Sequence, residues 1–329
     1  MRRLPAGLAA VALLAVTATA CGSSSSGSSG SSDTPSDGLT TVKVGVIPIV
    51  DVAPVYLGEK QGFYRKRGLD LTLETGQGGA AIVPGVVSGQ FAFGFSNTTS
   101  LMVARSRDVP VRAVANGVAS TGKAGADFGG VVVKGDSPVK SPKDLAGKKV
   151  AVNTLKNIGD TSVRESVRKA GGDPHSVQFV ELAFDQMPAA LDAGQVDAAW
   201  VVEPSLAVVK EQGGRVVASN FVDVSPDLTI ALYFTSDKLA RQDPELVEKF
   251  AAATRESLAY ARSHPDEVRE ILSTYTKIPE KTLQAMTLPD WPEEPDRASL
   301  ERLGELGRQD GLFDEAPDLD ALLPWPGHP

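Results

Sequence analysis

Two halves of this 329-residue chain echo each other. KVGV at residues 43–46 returns as KVAV at 149–152, about 106 residues later. SGQFAFGFSN, which begins at Ser88, returns as AGQVDAAWVVE, which begins at Ala193, with Gly89 matched to Gly194. Between these pairs LDLTLE at 69–74 and VQFVEL at 177–182 both read as strands. A serial match of this kind restricts the fold. Each unit reads strand, helix, strand, helix, strand, with Gly89 or Gly194 where the second helix has to stop. Strands that alternate with helices require a mostly parallel sheet with right-handed crossovers. The expected fold class is therefore α/β, with two lobes that are each a mostly parallel sheet flanked by helices.

In such sheets ligands bind at the carboxyl ends of the strands, beside helix N-termini. The echo thus predicts paired loops. In lobe one they are 48–53, 76–79 and 96–99; in lobe two they are 153–159, 183–186 and 202–204. Beyond Asp227 the pattern changes. LTIALYFTS, from Leu228, reads as a strand that returns across a hinge. A helical tail follows, with Asp243 as a cap, Pro244 in the first turn, and Leu246, Val247, Phe250, Leu258 and Ala261 as an apolar stripe. The tail is expected to pack on lobe one. Lobe one then comprises 42–118 and 229–329, and lobe two 119–228, with two hinge crossings.

The N-terminus has a different character. Arg2 and Arg3 precede a short apolar run at 8–16, too short to span a bilayer, which needs about 20 residues. Ala18, Thr19 and Ala20 lead to Cys21, the chain's only cysteine, and low-complexity Ser and Gly follow. A lone cysteine makes no internal disulfide. The segment resembles a bacterial lipoprotein signal peptide over 1–20, with Cys21 as the lipidated residue, although Ala18 stands where a branched residue is usual. Residues 21–41 bury too little apolar surface to fold and are expected to be a tether. The net charge of −8 argues against a nucleic-acid partner. Three scattered histidines (His175, His264, His328), and the absence of HExxH, GxSxG and Walker A patterns, point away from a metal centre or a Ser/His enzyme. No cofactor is expected. The GxGxxA pattern from Gly76 follows the second strand of its unit, not the first, so it is read as close backbone approach to a small ligand.

VIPIVDVAPVYLGEKQGFYRKRGLDLTLE, VVSGQFAFGFSN, VVVKGDSPVKSPKDLAGKKVAVN and LDAGQVDAAWVVEP, taken in this order, resemble the substrate-binding proteins of ABC importers. The particular group is the sulfonate, taurine, nitrate and thiamine-pyrimidine-precursor binders, the NMT1/THI5-like proteins. The resemblance implies a type II periplasmic-binding-protein fold that captures a small organic solute, bearing nitrogen or a sulfonate, by lobe closure. It also implies ABC permease subunits with a cytoplasmic ATPase as partners. The protein would be a monomer, lipid-anchored on the extracytoplasmic face of the cell membrane. The alternative it leaves open is an enzyme on the same fold, chorismate-dehydratase-like or pyrimidine-synthase-like.

On this resemblance the site residues are Asp51 and Val52 after the first strand, Gly78 after the second, and Ser96, Asn97 and Thr98 after the third. Asn116 lies on the strand that leads to the hinge. Asn153, Thr154 and Gly159 come from the matching turn of lobe two, with Val202 and Glu203 after its third strand. Ser96, Asn97 and Thr98 also suit plain helix capping, and Lys156 suits a solvated side chain. Trp200 is expected in the core. Glu203 suits a ligand amine or N–H donor, or else a structural hydrogen bond; the echo places it opposite Asn97.

Overall fold

The computed structural model describes residues 38–315 and 317–323. The expected signal segment, Cys21 and the expected tether up to residue 37 lie outside the described residues. The chain first lays down β1 (Thr40–Val46), α1 (Ala53–Lys60), β2 (Leu69–Thr75), α2 (Gly79–Ser88), β3 (Phe93–Asn97), α3 (Thr98–Arg105) and β4 (Val111–Ala119). It then crosses to β5 (Gly129–Val133), β6 (Lys149–Val152), α4 (Ile158–Lys169), β7 (Gln178–Glu181), α5 (Met187–Asp192), β8 (Ala198–Val202), α6 (Ser205–Glu211), β9 (Arg215–Ala218) and α7 (Asn220–Val224). It returns through β10 (Thr229–Ser236). The tail consists of α8 (Asp237–Gln242), α9 (Pro244–Ser263), α10 (Pro265–Leu272), α11 (Glu280–Ala285), α12 (Arg297–Gln309) and α13 (Leu319–Leu322).

The echo is an echo of topology. The first sheet has the order β2-β1-β3-β10-β4 and the second β7-β6-β8-β5-β9. β1 pairs in parallel with β2 and β3, as β6 does with β7 and β8, whereas β10 and β5 run antiparallel to their neighbours. The central strands are apolar because helices cover both faces: β3, β8 and β10 are buried at every residue. Gly89 and Gly194 end α2 and α5 with φ of +82° and +67°, a left-handed turn that favours glycine.

The tail behaves partly as the sequence suggests. Asp243 caps α9, with Leu246 N–H donating to its Oδ1 at 2.9 Å, and α9 and α10 pack on α1 of lobe one. The tail then goes on to touch lobe two. α11 packs on α6, and Thr282 Oγ1 donates to Glu211 Oε2 at 2.8 Å. α12 lies against α3 of lobe one and α4 of lobe two. There Arg302 pairs with Glu165 at 2.9 Å, and Arg168 pairs with Asp310. The tail therefore straps both lobes, a reach that the apolar stripe of α9 gave no sign of.

Candidate functional site

A cleft of about 570 Å³ lies between the lobes at the carboxyl ends of β1, β2, β7 and β8. Lobe one contributes Ile47, Pro48, Ile49, Gly76 and Gln77; lobe two contributes Phe184, Asp185, Pro204 and Ser205. Tyr275, Lys277 and Ile278 of the tail complete the wall. Four of the six expected loops thus reach this cleft, while 96–99 and 153–159 do not line it.

The lobes touch beside the cleft. Gln77 Nε2 donates to Asn153 O at 3.1 Å, and Asn153 Nδ2 donates back to Gln77 O at 3.3 Å. Gly78 is pressed so closely on lobe two that a Cβ there would lie 2.7 Å from Thr154 Cγ2 and 2.9 Å from Asn153 Nδ2. At the inner end Val50 N–H donates to Glu203 O at 3.1 Å.

Asp51 sits in the short turn Val50–Val52 and is buried, together with Val52. Trp291 Nε1 donates to the Asp51 carbonyl at 3.1 Å, and Tyr275 OH donates to the Ile49 carbonyl at 3.0 Å. The carboxyl itself is less provided for, since its Oδ1 is buried with no hydrogen-bond partner. Burial pushes this carboxyl up to about 7; its own backbone N–H offsets part of the rise and the like charge of Asp127 adds to it.

Glu203 is also buried and pushed up to about 7 by burial, but its oxygens are taken. Ala207 N–H at the start of α6 donates to Oε2 at 2.8 Å, and Thr287 N–H of the tail donates to Oε1 at 3.3 Å. The carboxylate thus caps a helix and ties lobe two to the strap.

The remaining expected residues divide into three groups. Asn153, Thr154 and Gly78 meet across the lobes. Gly159 lies under Trp200, which is in the core, and Val202 is buried in β8. Ser96, Asn97, Thr98 and Asn116 stay within lobe one. Asn97 Oδ1 accepts Ser100 N–H at 2.8 Å as the cap of α3, and Ser96 Oγ donates to Asn97 O. Thr98 Oγ1 donates to backbone carbonyls of β10, and Asn116 Nδ2 donates to Pro292 O at 2.7 Å. No hydrogen bond joins Asn97 to Glu203 among those described. Lys156 is exposed, with φ +57°.

Sequence reasoning placed Gln77 and Asn157 only within the loops 76–79 and 153–159 without singling them out, and it missed Tyr275 and Trp291. Asn157 carried a signal, as an Asn directly before an amphipathic helix. Its Oδ1 accepts Gly159 N–H at 2.8 Å, and its Nδ2 donates to Asn153 Oδ1 at 2.7 Å and to Thr154 Oγ1 at 2.8 Å, which fixes the turn that meets Gly78. Tyr275 and Trp291 carried no local signal, because the tail brings them back from more than 200 residues away.

A family model described as NMT1/THI5 like matches residues 49–268. The formylaminopyrimidine-binding protein of Halalkalibacterium halodurans is 23% identical over 223 residues, covering 67% of this chain and 65% of that one. The 4-amino-5-hydroxymethyl-2-methylpyrimidine phosphate synthase THI12 of Saccharomyces cerevisiae is 21% identical over 225 residues, 64% of each chain. Among solved structures, the alkanesulfonate-binding protein SsuA from Xanthomonas axonopodis pv. citri, bound to MOPS, superposes with a TM-score of 0.72 at 15% identity, covering 86% of this chain and 97% of that one. The fold is that of the two-lobed periplasmic binding proteins.

Proposed function

The chain belongs to the NMT1/THI5-like family, and from that membership we propose that it is the solute-binding component of an ABC importer. It captures a small organic solute between its lobes and delivers it to a membrane permease. It works as a monomer, tethered to the extracytoplasmic face of the membrane through Cys21. The observation that supports this reading most directly is the double hydrogen bond between Gln77 and Asn153, with Gly78 packed on Thr154, beside a cleft that both lobes line. These contacts exist only when the lobes are together. A solute that touches both lobes gains its full set of contacts in that state and shifts the population towards it. Asp51 and Asn116 are the expected site residues whose side chains keep a buried oxygen without a hydrogen-bond partner; Asp51 is the nearer in sequence to the Ile47–Ile49 wall and so the first candidate to hold the solute, although it does not itself line the cleft. Glu203, Asn97 and Thr98 support the site by fixing the helices around it.

The relatives named above divide between binding proteins and an enzyme. Binding is favoured by the N-terminal lipoprotein-like segment, which suits an exported protein on a leash.

The test is small-angle scattering on ligand-stripped protein, with solutes that include a formylated aminopyrimidine and MOPS. A solute that raises the melting temperature should also shrink the radius of gyration; binding with an unchanged radius contradicts capture by closure. Cys21→Ala should move the protein from the membrane pellet to the soluble fraction.

A further inference from the structure

We propose that the far end of lobe one, where the chain enters β1, rests on the bilayer through anionic lipid head groups, with lobe two outermost. This rests on the reading of Cys21 as a membrane anchor and adds the face that the anchored protein turns to the membrane.

The first observation is topological. β1 and β2 run in parallel, and the residues that follow them, Ile47 to Ile49 and Gly76 with Gln77, line the cleft. Their amino ends therefore mark the opposite end of the lobe. Thr40 opens β1 there and donates its N–H to Gly68 O at 2.8 Å, directly after the turn Arg65–Arg67. β10 is antiparallel to β3, so its last residue, Ser236, reaches the same end and pairs with Val111, the first residue of β4. Asp237 N–H then donates to Pro110 O at 2.8 Å. Three segments, 65–70, 105–112 and 237–243, are brought to one edge in this way. Adjacent strands lie about 4.8 Å apart, so the edge from β2 to β4 spans roughly 20 Å.

The second observation is charge. The three segments carry eight Lys or Arg against four Asp, a net +4 in a chain of net −8. Half of these cations are held by carboxylates. Arg65 pairs with Asp70 at 3.0 Å and Arg67 with Glu256 at 2.6 Å, while Arg105 and Arg112 share Asp237 at 3.2 and 2.6 Å. Lys66, Arg107, Lys238 and Arg241 are exposed and have no carboxylate partner among the described residues; Lys66 lies over the Phe63 ring. The first turns of α9 leave this balance unchanged, because Glu245 pairs with Lys249 and Glu248 with Arg255. Val87, one of two large apolar side chains exposed among the described residues, sits in the last turn of α2, just before β3 starts at the same end.

The third observation is the point of chain entry. The far end of lobe two is basic as well, since residues 134–149 carry five Lys against two Asp. Charge alone lets either end meet an anionic surface. The chain, however, enters at lobe one. Sixteen residues lie between Cys21 and Gly38, a reach of at most roughly 60 Å at full extension. An anchor at Cys21 thus keeps the end that holds Thr40 near the bilayer and supplies its local concentration. Each cation close to an anionic membrane strengthens the contact about fivefold, and salt screens it. Four such cations orient a tethered protein without replacing its anchor.

The test places the anchored full chain in phosphatidylcholine vesicles, pure or mixed with phosphatidylglycerol, that contain a nitroxide-headgroup lipid as quencher. A bimane label is read at Ser106→Cys, between Arg105 and Arg107, or at His175→Cys, at the far end of lobe two. The Ser106→Cys label should be quenched at least about twofold more in the mixed vesicles, and raised salt should remove the difference. The His175→Cys label should not distinguish the vesicles. Arg107→Glu, Lys238→Glu and Arg241→Glu together should abolish the effect, whereas Lys140→Glu, Lys143→Glu and Lys148→Glu in lobe two should leave it. If the first triple variant does not fold, the salt series on the parent protein decides alone. Equal quenching of the Ser106→Cys label in both vesicles, a larger lipid effect at His175→Cys, or an effect that survives the lobe-one triple variant overturns the proposal. Sedimentation keeps the two readings apart. The Cys21→Ala chain at low ionic strength should bind the mixed vesicles at least about fivefold more tightly than the pure ones, and the lobe-one variant should lose this preference. That result upholds the face even where wild-type protein washes off pure phosphatidylcholine and the anchor fails; retention of wild-type protein with no lipid preference in Cys21→Ala upholds the anchor and removes the face.

Discussion

The turn after β3 and the turn after β8 occupy the same place in the two lobes, yet they serve different ends. In lobe one Asn97 caps α3 and keeps every described hydrogen bond within its own lobe. In lobe two the matched Glu203 is one methylene longer and charged. It caps α6, holds Thr287 of the strap, and its carbonyl receives Val50 of lobe one. A repeated topology places two residues alike; side-chain length and the neighbouring tail decide whether a cap stays local or joins three parts of the molecule.

Glu203→Ala should test that difference hardest. It strands two buried N–H donors and removes a charge-assisted bond, so the unliganded protein should lose about 2–4 kcal/mol. Denaturant unfolding measures it, and a loss below about 1 kcal/mol would make Glu203 as local as Asn97.

Next in size is the effect of pH. The carboxyls of Asp51 and Glu203 are raised to about 7 in the folded protein, above their unfolded values. Between their unfolded pKa values, about 4, and the folded ones the folded state therefore holds more protons, and stability falls as pH rises through that window. Stability without ligand should be greater at pH 5 than at pH 8, by an amount on the order of 1–3 kcal/mol per group, with a correspondingly higher melting temperature at pH 5. Glu203→Gln should flatten this slope, and Asn97→Asp, the matched acid in lobe one, supplies the comparison.

Gly78→Val acts on closure. The added side chain collides with Thr154 and Asn153 only when the lobes meet. Affinity should fall about tenfold or more, roughly 1.4 kcal/mol, with melting of the unliganded protein little changed. Calorimetry with a ligand found by the scattering screen checks it, and a normal affinity would place the closed contact elsewhere.

The smallest effect belongs to Asn97→Ala. It removes one helix cap and should cost about 1 kcal/mol of stability. Affinity should change less than with Gly78→Val, because Asn97 bonds only within lobe one whereas Gly78 meets Thr154 and Asn153 of the other lobe.

The architecture was legible in the sequence because it rests on short-range rules. The strand repeats at 43 and 149, with Gly89 and Gly194 as stops, state the β-α-β-α-β plan locally, and the plan dictates which strand ends face the cleft. The loops carrying Pro48, Gly78, Phe184 and Pro204 were therefore locatable to within a few residues. Occupancy of hydrogen bonds was not. Asp51 and Glu203 look equally available in the sequence, and only the fold gives Glu203 two backbone donors while it leaves Asp51 Oδ1 with none. Tyr275, Trp291 and Thr287 reach the site from a tail whose own pattern says only that it is helical. Their arrival depends on how α9 to α12 pack around both lobes. Local pattern fixes where a chain can present side chains, whereas burial and partnership are set by contacts between distant segments, which no window of sequence contains.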